Sequence, residues 1–260
     1  MKSSQAGRIF HAWAQLPITN DEFMTKQSAL QRKHFPSTQP LPGVPTLLST
    51  LQQTLTSNPP GQRVHIALAT SSHAGNFALK TAHLPHVFDA FPAHARVLGD
   101  DGRIPKGRGK PCPDIYLLAL EMVNGEIRRR KEEARAAGGD GGNTETETGT
   151  GTEKGPDSRV DEAMYADEPE IRPDECLVFE DSVPGVEAGR RAGMQVVWCP
   201  HPGLRAEYVG QEAAVLAGRS GMAGGGPEEK TEKVGQEGDG WARLFPTLED
   251  FPYADYGIRT

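Results

Sequence analysis

The sequence predicts an α/β protein with a parallel sheet. Short apolar runs of strand length, Val64–Ala69, Leu177–Phe179 and Met194–Trp198, alternate with stretches of helical pattern. The stretch Cys176–Pro200 reads strand, helix, strand, which implies a right-handed crossover between parallel neighbours. Polar groups stand at the carboxyl ends of the runs: Thr70-Ser71-Ser72 after one, Glu180-Asp181 after another. Open α/β sheets bind their ligands at such ends.

Taken in order, residues 4–16 have Ile9, Phe10, Trp13 and Leu16 near one face of a helix. Pro17 and Thr19-Asn20-Asp21 end that pattern and offer caps for a second helix, Asp21–His34. Pro36 and Pro40-Leu41-Pro42-Gly43 form a joint. A third helix runs from Val44 to about Thr56, with Leu47, Leu48, Leu51 and Leu55 on one face, and Asn58-Pro59-Pro60-Gly61 stops it. After the strand Val64–Ala69 comes a helix from about Gly75 to Ala82. Ala95–Gly99 supplies another strand. Pro113 then opens an apolar helix, Ile115–Met122.

Residues 123–172 break the compact pattern. Arg128–Glu133 can carry the helix into solvent, but Gly138–Gly155 is Gly, Thr and Glu with almost nothing apolar. Such composition does not offset the entropy of ordering, so 123–172 is expected to be a disordered insert, and 218–240 a second one. Ala213–Leu216 reads as a last strand. Trp241–Tyr253 supplies apolar residues to close the core.

The bulk numbers narrow the function. A net charge of −7 argues against nucleic acid or an anionic membrane surface as partner. Cys112, Cys176 and Cys199 lack metal-ligand spacing, and an odd count of isolated cysteines fits a reducing, cytoplasmic setting. The start of the chain is neither a secretory signal nor a membrane span.

The polar groups carry the chemistry. Thr70, Ser71 and Ser72 at a strand-to-helix turn combine hydroxyls with free backbone N–H groups, which suits an anion, although such residues also cap helices everywhere. Lys110, between a Gly-rich loop and two prolines, can neutralise a phosphate as a compact point charge; a solvated loop lysine is the plainer alternative. Glu180 and Asp181 can hold a hard cation through oxygen, or simply begin a helix and meet its dipole. His73 is close enough to reach a ligand, but reads equally as a solvated loop residue.

Taken together, LPITNDEF, FPSTQPLPGV, ALATSSHAGNF, LGDDG, GKPCPDIY and CLVFEDSVPGVEAGRRAGMQVV resemble the haloacid dehalogenase superfamily of phosphatases. The nearest likeness is to its pseudouridine-5′-phosphatase-like and beta-phosphoglucomutase-like members. The resemblance covers roughly residues 1–122 and 173–205. It implies a Rossmann-like parallel core, 41–122 and 173–260, and makes residues 1–40 part of a helical cap. It implies that Thr70, Ser71 and Lys110 bind phosphate, that Lys110 is the catalytic lysine of motif III, and that Glu180 and Asp181 hold Mg²⁺. The substrate would be a small phosphorylated metabolite, handled by a monomer.

The departure from the family is motif I. There, an Asp-x-Asp ends the first and central strand, its first Asp the nucleophile and its second the acid/base. No Asp-x-Asp occurs in these 260 residues. Asp100-Asp101-Gly102 lies too late in the order to serve. Three readings stay open: a phosphatase truncated at its N-terminal side and inactive as it stands, a phosphate-binding pseudoenzyme, and a structural protein with inherited motif remnants.

Overall fold

The computed structural model describes residue 10 and residues 13–138, 167–219 and 235–260. Most of the first expected helix and the centres of both expected inserts lie outside the described residues, though Phe10, Trp13 and Ala14 are helical.

Helix α1, Asn20–His34, starts on a full capping box. The Thr19 hydroxyl accepts from Glu22 N at 3.2 Å, and the Glu22 carboxylate accepts from Thr19 N at 2.8 Å. A 3₁₀ turn, Phe35–Ser37, then carries the chain toward α2, Val44–Ser57. Gly43 enters α2 at φ +85°, and a Cβ there would lie 2.2 Å from the Leu248 carbonyl carbon. Only glycine fits where the chain joins the core. Leu47, Leu48 and Leu51 are the buried face of α2. Its buried Thr54 hydroxyl donates to Leu51 O at 2.7 Å and accepts from Val64 N at 3.0 Å, fixing the approach to the first strand.

Among the described residues five short strands follow: β1, Leu68–Ala69; β2, Arg96–Val97; β3, Leu177–Glu180; β4, Gln195–Trp198; and β5, Ala242–Leu244. All their pairings are parallel, but they form two sheets, β1-β2 and β3-β4-β5. The expected strand Val64–Ala69 is laddered only over its last two residues. A ladder needs a neighbour, and β1 and β3 each have one on a single side. Their side chains nevertheless meet common partners. Ala67, Ala69 and Val178 share one apolar cluster; Val64, Ile66, Leu177 and Phe179 share another.

Strand β4 separates the layers. Val196 and Trp198 face α5, Asp114–Gly138, and α6, Val183–Arg191, while Val197 and Cys199 face α2 and the C-terminal segment. Alternation along a strand does this without special residues. The expectation of an α/β fold with a parallel sheet core holds.

Three local expectations change. Residues 213–216 belong to a helix, Glu212–Leu216, not a strand; a short apolar run does not distinguish the two, and Glu and Ala favour helix. The last strand is β5 instead. Helix α5 continues past Met122 to Gly138, because Val123 and Ile127 are buried against Ala95 and Ile171. The compact chain therefore crosses the boundary expected at residue 123. It also resumes before 173: Glu168 is buried and bonded to Arg63 and His65 (3.2 Å each), and Asn124 bonds both backbone groups of Ile171. Asp239, at the edge of the second insert, pairs with buried Arg190. Among the described residues no helix is long and apolar enough to cross a membrane, and no disulfide joins Cys112, Cys176 or Cys199.

Candidate functional site

The carboxyl ends of β1 and β3 open on one cleft of about 350 Å³. Thr70, Ser71, Lys110, Glu180 and Asp181 all line it. Residues over a hundred positions apart meet there because both strands run parallel and end on the same side.

Thr70 leaves β1 with its N–H still bonded to Val97 O (3.0 Å). Its hydroxyl accepts from Ser72 N at 3.1 Å, so the side chain closes the turn that presents Ser71. Helix α3, Ala74–Thr81, follows. Its first N–H, on Ala74, donates to both Asp100 oxygens, at 3.0 and 3.2 Å. Asp101 is occupied by Arg103 at 2.7 Å. The only adjacent aspartates of this loop thus serve as a cap and an ion pair. His73 lines the cleft mouth and is exposed.

Lys110 reaches across from the loop before α5. Its ammonium donates to Ala69 O at 3.1 Å and to Glu180 Oε1, and lies 4.9 Å from the Tyr116 ring centre. It therefore bridges the two sheets where no backbone ladder does. Glu180 is held from all sides: Tyr116 OH also donates to Oε1, while Ser182 N and Oγ donate to Oε2 at 3.1 and 2.9 Å. Burial opposes its ionised form. The Lys110 charge and the hydrogen bonds from Lys110, Tyr116 and Ser182 outweigh that and hold its carboxyl below the ordinary value.

Asp181 differs. Its side chain is exposed to the cleft, and Trp198 Nε1 donates to its backbone oxygen. Desolvation by the cleft walls and the neighbouring Glu180 charge push its carboxyl above the ordinary value, against the pull of Lys110 and Lys80. A divalent cation relieves such like-charge strain. Mg²⁺ is commonly held by one or two carboxylates, with waters and phosphate oxygens completing the shell. Asp181 fits that role with an oxygen open to the cleft, whereas the Glu180 oxygens are already engaged. Among the described residues no cluster of three metal-ligating side chains occurs.

Sequence reasoning missed several residues around this cleft. Tyr116 lies within the expected apolar helix Ile115–Met122 and Ser182 carries no expectation, yet both hold Glu180. Gln31 and Phe35 of the cap fragment and Asn76 and Lys80 of α3 complete the wall. The signal for Lys80 is its spacing: two turns after Ser72 on α3, it folds back to donate to Ser72 Oγ at 3.1 Å.

No family model matches the chain. Its sequence is 35% identical over 215 residues to a probable pseudouridine-5′-phosphatase of Saccharomyces cerevisiae, covering 83% of this chain and 70% of that protein. The chain belongs to the haloacid dehalogenase-like phosphatase family. Within this family it is also 30% identical over 203 residues to a probable pseudouridine-5′-phosphatase of Drosophila melanogaster, 78% of this chain and 64% of that one. A (DL)-glycerol-3-phosphatase of Arabidopsis thaliana is 27% identical over 218 residues, 83% of this chain and 55% of that one. The chain thus spans between 55% and 70% of the length of these relatives.

Proposed function

We propose that this chain forms the phosphate-handling part of a Mg²⁺-dependent phosphatase acting on small phosphomonoesters, pseudouridine 5′-phosphate or a sugar phosphate. The observation that carries the reading is the gathering of the Thr70–Ser72 turn, Lys110, Glu180 and Asp181 around one cleft. The turn offers backbone N–H groups and the Ser71 hydroxyl to phosphate oxygens. Lys110, oriented by Glu180 and Tyr116, fixes the positive end of the site and keeps the two sheets in register. Glu180 positions Lys110, and Asp181 is the open carboxylate for the cation. Mg²⁺, when bound, supplies charge neutralisation at the phosphoryl group. The three cysteines, none of them in a disulfide, support a reducing, cytoplasmic setting, and the net charge of −7 a small-molecule substrate rather than nucleic acid.

Hydrolysis by the family's covalent route needs a nucleophilic Asp, and no Asp-x-Asp is present in the 260 residues. The open sides of β1 and β3 support the view that such a strand belongs between them. The test is phosphate release from an aryl phosphate and from pseudouridine 5′-phosphate, with and without EDTA. The chain of 260 residues is expected to give no turnover. The same chain preceded by an apolar strand ending in Asp-x-Asp is expected to hydrolyse one of these esters, and to stop on adding EDTA or on Asp181→Asn. Turnover by the 260-residue chain itself would reveal another nucleophile. The missing Asp-x-Asp also favours a second reading, phosphate binding without catalysis, and failure of the extended chain on every phosphomonoester would select it.

A further inference from the structure

The cleft contains two lysines, and they are not in the same state. Lys110 is largely used up inside the protein. Its side chain is 10% exposed, its charge is answered by Glu180, one more N–H goes to Ala69 O, and the Tyr116 ring covers a further side. Lys80 is half-buried on the opposite wall. Its one hydrogen bond is to a neutral acceptor, Ser72 Oγ, and its ammonium lies 4.5 Å from the Phe35 ring centre. Among the described residues no carboxylate stands within ion-pair distance of it. An ammonium has three N–H groups, so donor capacity remains. A phosphate entering beside the Thr70–Ser72 turn meets Lys80 as the cation not already neutralised.

We propose that Lys80 is a second side chain, beside Lys110, that anchors a phosphate oxyanion in this cleft when no metal is bound. Phe35 of the cap fragment and Ser72 hold its ammonium at the cleft wall. Removing Lys80 lowers the net charge of the cleft by one. This inference rests on the cleft being a phosphate site, and the experiment separates the two.

The full chain in EDTA is titrated calorimetrically with inorganic phosphate and with phenyl phosphate. Loss of a charge-assisted contact is expected to weaken binding of both by about tenfold or more in Lys80→Met. Lys80→Arg, which keeps the charge, is expected to stay within about threefold. Lys26→Met, which removes the same charge from an exposed position on α1 outside this cleft, is also expected within about threefold. Unaltered phosphate binding in Lys80→Met would overturn the inference and leave the phosphate-site reading intact. So would an equal loss in Lys26→Met. A loss seen with phenyl phosphate alone would place Lys80 on the leaving group and overturn it too. No binding of either probe by the parent chain would overturn both.

Discussion

The Glu180 carboxylate fills the space that a side chain at Gly185 would need: a Cβ there would lie 2.0 Å from its carboxyl carbon. The acid at the end of β3 thus packs directly on the first turn of α6. Glutamate usually yields by rotating, but this one is pinned by Lys110, Tyr116 and Ser182. Gly185→Ala is therefore expected to destabilise the fold by about 1–3 kcal/mol, the range for overpacking. A urea titration reads this as a lower midpoint at unchanged slope. A midpoint equal to the parent's would mean that Glu180 moves freely.

The Lys110–Glu180 pair gives a second expectation. Lys110→Met leaves a buried carboxylate without its cation, a change that costs about 3–5 kcal/mol for a buried pair. Glu180→Gln added to it removes the uncompensated charge and should recover much of that loss. Stabilities of the parent, both single variants and the double variant complete the cycle. A double variant as unstable as the sum of the two singles would show that the residues do not act as a pair.

Acid dependence follows from the two adjacent acids, with opposite signs. Glu180 titrates below its ordinary value of 4.5. Its contribution is fully present above that value and is lost as pH falls through its folded value. Glu180→Gln should remove this acid limb. Asp181 titrates above its ordinary value of 3.8, so its ionised form costs stability at neutral pH. Asp181→Asn is expected to be more stable than the parent at pH 7 without Mg²⁺, by about 0.5 kcal/mol for so exposed a group. That difference should close as pH falls through the folded value of Asp181 and be gone below 3.8. Urea midpoints measured across pH 3–7 check both limbs, and a constant difference for Asp181→Asn would contradict the argument.

The motif residues were legible in the sequence because short strings tie them to strand ends. Gly109-Lys110-Pro111 and Phe179-Glu180-Asp181 carry their context with them. What each residue does once there was less legible. Glu180 reads as a metal ligand from its string, but folding fills its lone pairs with donors from Lys110, Tyr116 and Ser182. Lys80 carries no motif, and its place depends on the direction of α3 and on Phe35, forty-five positions earlier in the chain. The strand Val64–Ala69 was legible as an apolar run. Its length as a ladder was not, since that belongs to a neighbour rather than to its own residues. Ala213–Leu216 was misread because four apolar residues suit either a strand or a turn of helix.

The buried trio Glu168, Arg63 and His65 has a consequence of its own. Together with Asn124 and Ile171, it fastens the chain just after residue 167, while α5 is packed against the sheets before residue 138. Each side of the intervening stretch is moored independently, so the peptide linkage between them adds mainly effective concentration. A break there would yield two polypeptides that stay together as a heterodimer and part only on dilution or melting. The site at Lys110 and Glu180 would then survive as a two-piece protein, with its parts expressed as separate chains and mixed.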